Sequence, residues 1–191
     1  LPDMATAVRL ANRAIDGRQT VLVHGDYDVD GIAATALLTR FLSKLGVSVQ
    51  YFIPHRIHDH YGLAMRAVEQ AAGEGASLVI AVDCGIRDCE AIARARALGM
   101  DAIVLDHHEP GDELPCAGAV VDPKVEGCKY PNPELTSAGL ALQFARAVGR
   151  SRGLQDEHVL RAFLDLAAIG TVADVAELSG ENRALVALGL R

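Results

Sequence analysis

The sequence predicts an α/β fold: a five-stranded, mostly parallel sheet with helices on both faces, followed by a helical C-terminal segment. Three observations predict it. Short runs of Val, Ile, Leu and Ala recur without polar alternation, as strands covered on both faces require. Helix-like runs separate them with short connections, the arrangement of strand–helix–strand units. After Pro133 the strand-like runs cease and only helix-like ones follow.

The elements follow in order. Val21–Val23 is the first strand. Ile32 to Leu45 is a helix, ended by Gly46, since a glycine readily takes the left-handed turn that closes a helix. Val47 to Ile53 is the second strand, stopped by Pro54, which lacks the N–H a ladder needs. Leu63 to Ala72 reads as a helix. Leu78 to Val82 is the third strand, and Arg87 to Leu98 a helix closed by Gly99. Ala102 to Leu105 and Ala117 to Val121 are the fourth and fifth strands, the latter stopped by Pro123. The Pro/Gly-rich segment from Pro110 to Pro115 is a loop. Ser137 to Val148 and Glu157 to Thr171 are helical, and Asn182 to Leu188 begins another helix.

Composition bounds the function. The chain has 191 residues, 50% of them apolar, enough for a full core. Its formal net charge of -7 argues against a broad basic surface that grips nucleic acid by charge alone. It leaves room for a polyanion held through metal ions. No apolar run approaches the roughly 20 residues of a membrane span, and no signal pattern opens the chain. The four cysteines, Cys84, Cys89, Cys116 and Cys128, have no C-x-x-C spacing, and read as reduced thiols of a cytoplasmic protein.

The chemistry-bearing residues fall at strand ends. "VLVHGDYDVDG" runs the first strand into His24, Asp26, Asp28 and Asp30. "VDCG" ends the third strand at Asp83, and "DHH" ends the fourth at Asp106, His107 and His108. In an open parallel sheet the carboxyl ends of the strands share one rim, where ligands bind. Clustered carboxylates repel one another and are costly to desolvate, so a cation among them is expected. "DYDVDG" imitates the start of an EF-hand loop, but the position requiring a bidentate glutamate is Leu37. Asp83 alone could be a helix cap, and His107–His108 alone a buried and a solvated imidazole; their joint placement favours a metal site. Carboxylates mixed with imidazole suit Mn²⁺ or Mg²⁺ better than structural zinc, and this many anionic ligands suit two ions.

"HGDYDVDG", "VDCG" and "DHH" together resemble the DHH phosphoesterase superfamily. "GTVADV" with "GENRALV", and also "IPHR…YGL", "DHHEPGDELP", "VVDPK" and "YPNPELTSAGLALQFA", resemble its RecJ-like branch, the single-strand-specific 5′→3′ DNA exonucleases. The likeness runs from about Val21 to the end. It implies metal binding by His24, Asp28, Asp30, Asp83, His107 and Asp174, with Asp83 bridging two ions. Asp106 would orient an imidazole, and His108 would face the scissile phosphate. Asp26 would support the ligands or join them, and Arg56 and Tyr61 would contact the DNA strand. The chain departs from the branch at Ser137 (often Gly), at Asp122 (often Asn) and in the histidine-rich "IHDHYGL".

The resemblance implies hydrolysis of single-stranded DNA to 5′-mononucleotides in repair and recombination. It also implies partners within a longer protein: a second, DHH-associated domain after a connecting helix, and an oligonucleotide-binding domain. Residues 1–191 then read as the catalytic lobe, with the sheet over about 20–135 and a helical part over about 136–191. Such a lobe is expected to be weakly active alone, since it lacks tryptophan and a basic groove. Two other readings stay open at this point. One is another substrate of the superfamily: an oligoribonucleotide, a cyclic dinucleotide or polyphosphate. The other is a non-catalytic binding module.

Overall fold

The computed structural model describes residues 1–191. Its elements are α1 (Met4–Asp16), β1 (Thr20–His24), α2 (Val29–Lys44), β2 (Ser48–Phe52), α3 (Met65–Gly73), β3 (Ala76–Val82), α4 (Cys89–Ala97), β4 (Asp101–Leu105), β5 (Ala119–Val121), α5 (Ser137–Ser151), α6 (Asp156–Ala173) and α7 (Gly180–Gly189). The five strands lie in the order β2-β1-β3-β4-β5. Every pairing is parallel, including that of β5, so the sheet is more uniform than the mostly parallel one expected.

Continuous apolar strands follow from two cores. Val21, Val23, Ile80, Ile103, Leu105 and Val121 face one layer, where they meet Leu37, Leu38, Phe41, Phe144 and Phe163. Leu22, Val79, Ala81 and Val104 face the other, where they meet Val68 and Ile92. Successive residues thus alternate between two buried faces, as the pleat dictates. Helix α6 lies across α2 and α5, and α7 packs against α6, forming an outer layer on the first face. Phe41 and Phe163 meet edge-on with centroids 6.1 Å apart, pinning α6 to α2. Such a pair contributes about 0.5–1.5 kcal/mol beyond its buried area.

Helix α1 is an element the sequence reading did not assign. Its buried positions are Ala7, Ala11, Ala14 and Ile15, spaced for one helical face but mostly too small to register as an apolar run. Helix α2 begins three residues before Ile32. Asp28 caps it, its Oδ1 accepting from Gly31 N at 2.9 Å. The acidic "DYDVDG" stretch is therefore partly the first turn of a helix. No helix is long and apolar enough to cross a membrane.

The strand order reverses direction between β1 and β3, which places a crevice at their carboxyl ends. Helix α6 returns the chain towards that edge and ends at Asp174. The next residue, Val175, has φ of 59° and is 88% exposed. A β-branched side chain in the left-handed region costs roughly 1–2 kcal/mol. Nothing is packed against it to offset that cost. Val175→Gly is expected to raise the stability of the chain by about 1 kcal/mol, or roughly 3 °C in Tm, glycine's extra freedom when unfolded taking back part of the gain. Thermal unfolding checks this, and an unchanged or lower Tm would show that the α6 terminus is not strained.

Candidate metal centre

The crevice is lined with acid. Asp26, Asp30 and Asp83 are buried, and Asp28 and Asp174 are partly so. Carboxylate oxygens of Asp26, Asp28 and Asp83 all lie within 4.8 Å of one another. Donor atoms of Asp83, His107 and His108 form a second such group. Asp83 belongs to both. His107 Nε2 is 3.3 Å from Asp83 Oδ1 and 3.9 Å from Asp30 Oδ2. The structure therefore brings Asp28, Asp30, Asp83 and His107 together, with Asp174 close enough that its charge acts on Asp30 and His108.

The backbone explains how. Gly31 leaves no room for a Cβ, which would lie 2.6 Å from Asp26 N; the loop between β1 and α2 can coil tightly only with glycine there. Asp30 Oδ2 and Oδ1 accept from Ser137 N and Ala138 N at 2.7 and 3.0 Å, so Asp30 caps α5 from across the core. Asp83 sits just beyond β3 with φ of 63°, a left-handed conformation that Asp tolerates better than most residues. Both of its oxygens are buried without a hydrogen-bond partner, as are Asp26 Oδ1 and His107 Nε2. Burial, reinforced by Asp30 and Asp28, pushes the Asp83 carboxyl up to about 10. Burial, with Asp174 adding to it, pushes Asp30 up to about 6, against the pull of His107. Asp26 and Asp174 are raised by burial as well.

Asp106 is built differently. It accepts from Ile86 N at 3.0 Å, His107 N at 2.8 Å and His108 Nδ1 at 2.7 Å. Burial pushes its carboxyl up, but the bond and charge of His108 outweigh burial and hold it below the usual range. In return the Asp106 bond raises His108 to about 9. Asp106 thus fixes the orientation of the half-exposed His108 ring and leaves His107 to face the other carboxylates. His24 is placed otherwise than expected. Its Nε2 accepts from Ala64 N at 3.0 Å, its Nδ1 lies 3.6 Å from Cys84 Sγ, and its ring stacks on Phe52. Burial lowers it to about 4. Both ring nitrogens of this neutral imidazole are turned to other partners, and the ring braces the chain entering α3.

At the mouth stand Tyr61 and Arg56. The Tyr61 hydroxyl is 3.2 Å from His108 Nε2, and Arg56 projects from the exposed 55–60 loop. That loop is anchored by Asp59, which accepts from His55 N and pairs with Arg66, and by Asp88, which accepts from Leu63 N. A cleft of about 360 Å³ opens beside His108, lined also by Tyr61, Arg87 and Lys124. Two residues near the acids were given no site role by the sequence. Asp122 is fully buried at the end of β5, with Oδ2 unpartnered, and burial raises it to about 7. Tyr27 lies in the acidic loop itself. Asp122 carried a usable signal: it follows an apolar strand, as Asp83 and Asp106 do.

The description "DHH family, N-terminal domain" matches residues 20–171. The chain belongs to the DHH family. Among curated relatives, the single-stranded-DNA-specific exonuclease RecJ of Bacillus subtilis is 41% identical over 98% of this chain and 23% of its own length. That of Escherichia coli is 38% identical over 100% of this chain and 34% of its own length. A crystal structure of exonuclease RecJ bound to manganese superposes with a TM-score of 0.91 at 39% identity, covering 100% of this chain and 48% of that one. The chain spans a quarter to a third of the length of these curated relatives.

The DHH tripeptide divides its work on this geometry: Asp106 orients, His107 faces the acid cluster, and His108 faces the open cleft. The donor set fits a divalent cation. Carboxyl oxygens and imidazole nitrogens converge, and both oxygens of the buried Asp83 carboxyl lack a hydrogen-bond partner. Without a cation the cluster is a liability whose sign can be tested. Asp83 and Asp30 titrate higher in the folded chain than in the unfolded one. Stability is therefore full below about pH 4 and falls as pH rises towards their folded values. Asp59 and Asp156, held low by arginine partners, act in the opposite sense, and only in acid. The Tm of the metal-free chain is expected to fall between pH 5 and 8. Asp83→Asn should flatten much of that fall, and Mn²⁺ should restore Tm in the parent but not in the variant. A flat parent profile would show that the cluster is compensated internally.

Proposed function

We propose that this chain is the catalytic lobe of a RecJ-like 5′→3′ exonuclease that hydrolyses single-stranded DNA to 5′-mononucleotides with two Mn²⁺ or Mg²⁺ ions. The observation that carries the reading is Asp83, a buried carboxylate at the topological crevice with both oxygens unpartnered and other acids on either side. The likeness to the RecJ exonucleases over the whole chain supports the choice of substrate.

Asp28, Asp30, Asp83, His107 and Asp174 would hold the ions, with Asp83 common to both groups and Asp26 beside it. When bound, the ions supply an activated water and stabilise the charge that develops on the phosphoryl oxygens. The chain's own groups do the rest. Asp106 holds His108 by Nδ1, so Nε2 is aimed at the cleft, where its N–H can donate to a phosphoryl oxygen. Tyr61 limits the swing of that ring from the other side. Arg56 supplies unpaired positive charge at the edge of an otherwise acidic mouth, whereas Lys124 lies 3.6 Å from Glu109. In the whole protein, a DHH-associated domain and an oligonucleotide-binding domain would supply the remaining track for the strand, a reading supported by the greater length of the relatives.

The test is hydrolysis of a 5′-phosphorylated single strand in Mn²⁺, resolved nucleotide by nucleotide. Release of mononucleotides from the 5′ end is expected, stopped by chelation and absent on blunt duplex. Asp83→Ala should lower the rate by at least about a thousandfold, some 4 kcal/mol of barrier. His108→Ala should keep Mn²⁺ binding by calorimetry and lose turnover. Preferential cleavage of a cyclic dinucleotide or short RNA would move the substrate elsewhere in the superfamily, and no hydrolysis of any phosphodiester in Mn²⁺ would leave a binding module.

A second expectation concerns orientation alone. Asp106→Asn keeps the shape but loses the charge that fixes His108 Nδ1–H. A roughly 10- to 100-fold drop in kcat with KM little changed is expected, the usual size of an effect transmitted through a ligand's hydrogen-bond partner. Loss of Mn²⁺ binding in this variant would instead place Asp106 among the metal-holding residues.

A further inference from the structure

Arg56 is exposed and makes no ion pair and no side-chain hydrogen bond. Its guanidinium instead lies 4.6 Å from the centroid of the Tyr27 ring. Tyr27 sits between Asp26 and Asp28 in the acidic loop, is half-buried, and meets Tyr61 edge-on with centroids 6.4 Å apart. Tyr61 in turn meets His108 edge-on at 5.8 Å. A continuous chain of contacts thus runs from the metal-site loop through Tyr27 to a cation at the mouth.

We propose that Tyr27 is the positioning residue for Arg56: its ring face holds the guanidinium at the cleft mouth, with the hydrogen-bonding edge free for a substrate phosphate. The ligand role of Arg56 rests on the phosphodiester reading above. The physical problem is specific to an acidic cleft. A lone arginine beside Asp26 and Asp28 is drawn into the carboxylates, where its donors are consumed and its charge neutralised. An aromatic face attracts the cation through its quadrupole and takes none of its N–H donors. Holding the side chain in advance also reduces the rotamer freedom lost when a phosphate binds. The Tyr27 hydroxyl takes no part in the contact, so the ring alone accounts for the effect.

Two measurements test this on the protein as it exists. The first needs no substrate. The Arg56 δ-methylene protons are expected to be shifted upfield by the Tyr27 ring current in the NMR spectrum, to stay shifted in Tyr27→Phe and to lose the shift in Tyr27→Leu. An unshifted parent signal overturns the contact. The second uses a short 5′-phosphorylated single strand in Mn²⁺. Tyr27→Leu should raise KM roughly two- to fivefold, the range an exposed cation–π contact supports. The kcat and the Mn²⁺ affinity should stay within about twofold, and Tyr27→Phe should behave as the parent. In an Arg56→Ala background Tyr27→Leu should add nothing. Additive effects, a Tyr27→Phe defect equal to that of Tyr27→Leu, or loss of Mn²⁺ binding each overturn the positioning role. A parent that cleaves no phosphodiester but keeps the shifted Arg56 signal overturns the functional reading and, with it, the phosphate role of Arg56, while leaving the contact established.

Discussion

The arrangement depends on one unfavourable fact: a carboxylate buried at the carboxyl edge of the sheet with no partner for either oxygen. Neither oxygen of Asp83 is satisfied by the fold: the groups nearest it are other acids, an equally unpartnered imidazole nitrogen, and the Ser137 hydroxyl, whose pull on the carboxyl does not offset burial. Taken out of water it holds its proton far above the usual range. A buried unpaired acid of this kind works against stability. It is tolerable when a cation of high charge density completes it. The surrounding residues make sense as the means of keeping such an acid in place while its charge is unmet.

Three devices do so. The first is the topology: β1 and β3 stay paired to their carboxyl ends, but the chain leaves them towards opposite sides of the sheet, which opens a crevice between the departing loops. The second is cross-bracing by backbone N–H groups. Asp28 caps α2, Asp30 caps α5, and Asp106 collects three backbone donors besides His108 Nδ1, so these acids are held largely by main chain. The third is the outer helical layer, which carries Asp174 to the rim and ends on a strained valine. Strain stored beside a site is a recurrent feature of positions whose geometry matters more than their stability.

Much of this was legible in the sequence, and the reasons differ by element. Four strands buried on both faces read as uninterrupted apolar runs, the largely exposed edge strand β2 was marked instead by the Pro54 that stops it, and the acids after Val82 and Leu105 marked the rim. Helix α1 escaped because alanine at four-residue spacing buries well yet scarcely raises apolarity. The start of α2 escaped because an acidic run looks like a loop until one carboxylate is seen capping it. The resemblance named His24 with the ligands; in the structure its Nε2 accepts from Ala64 N and its Nδ1 lies against Cys84 Sγ. No local pattern could show that, since Ala64 is distant in sequence and is brought alongside only by the loop after β2. Asp122 was noted only as a departure, though its place after β5 repeats the Asp83 and Asp106 signal.

The same electrostatic logic reaches the surface. With a net charge of -7 and acids packed at the crevice, a polyanion meets repulsion everywhere except where cations are displayed. Most arginines near carboxylates here are spent on them: Arg66 on Asp59, Arg146 and Arg150 on Asp156. A cation paired in this way offers little attraction to an incoming phosphate. Arg66 also lies over a ring, that of Phe52, but keeps a carboxylate partner; Arg56 differs because an aromatic ring is its partner and no carboxylate pairs with it, so it is held without its charge being cancelled. Where acids crowd a crevice, the partner of each arginine decides whether its charge is spent on the fold or left available to an anion.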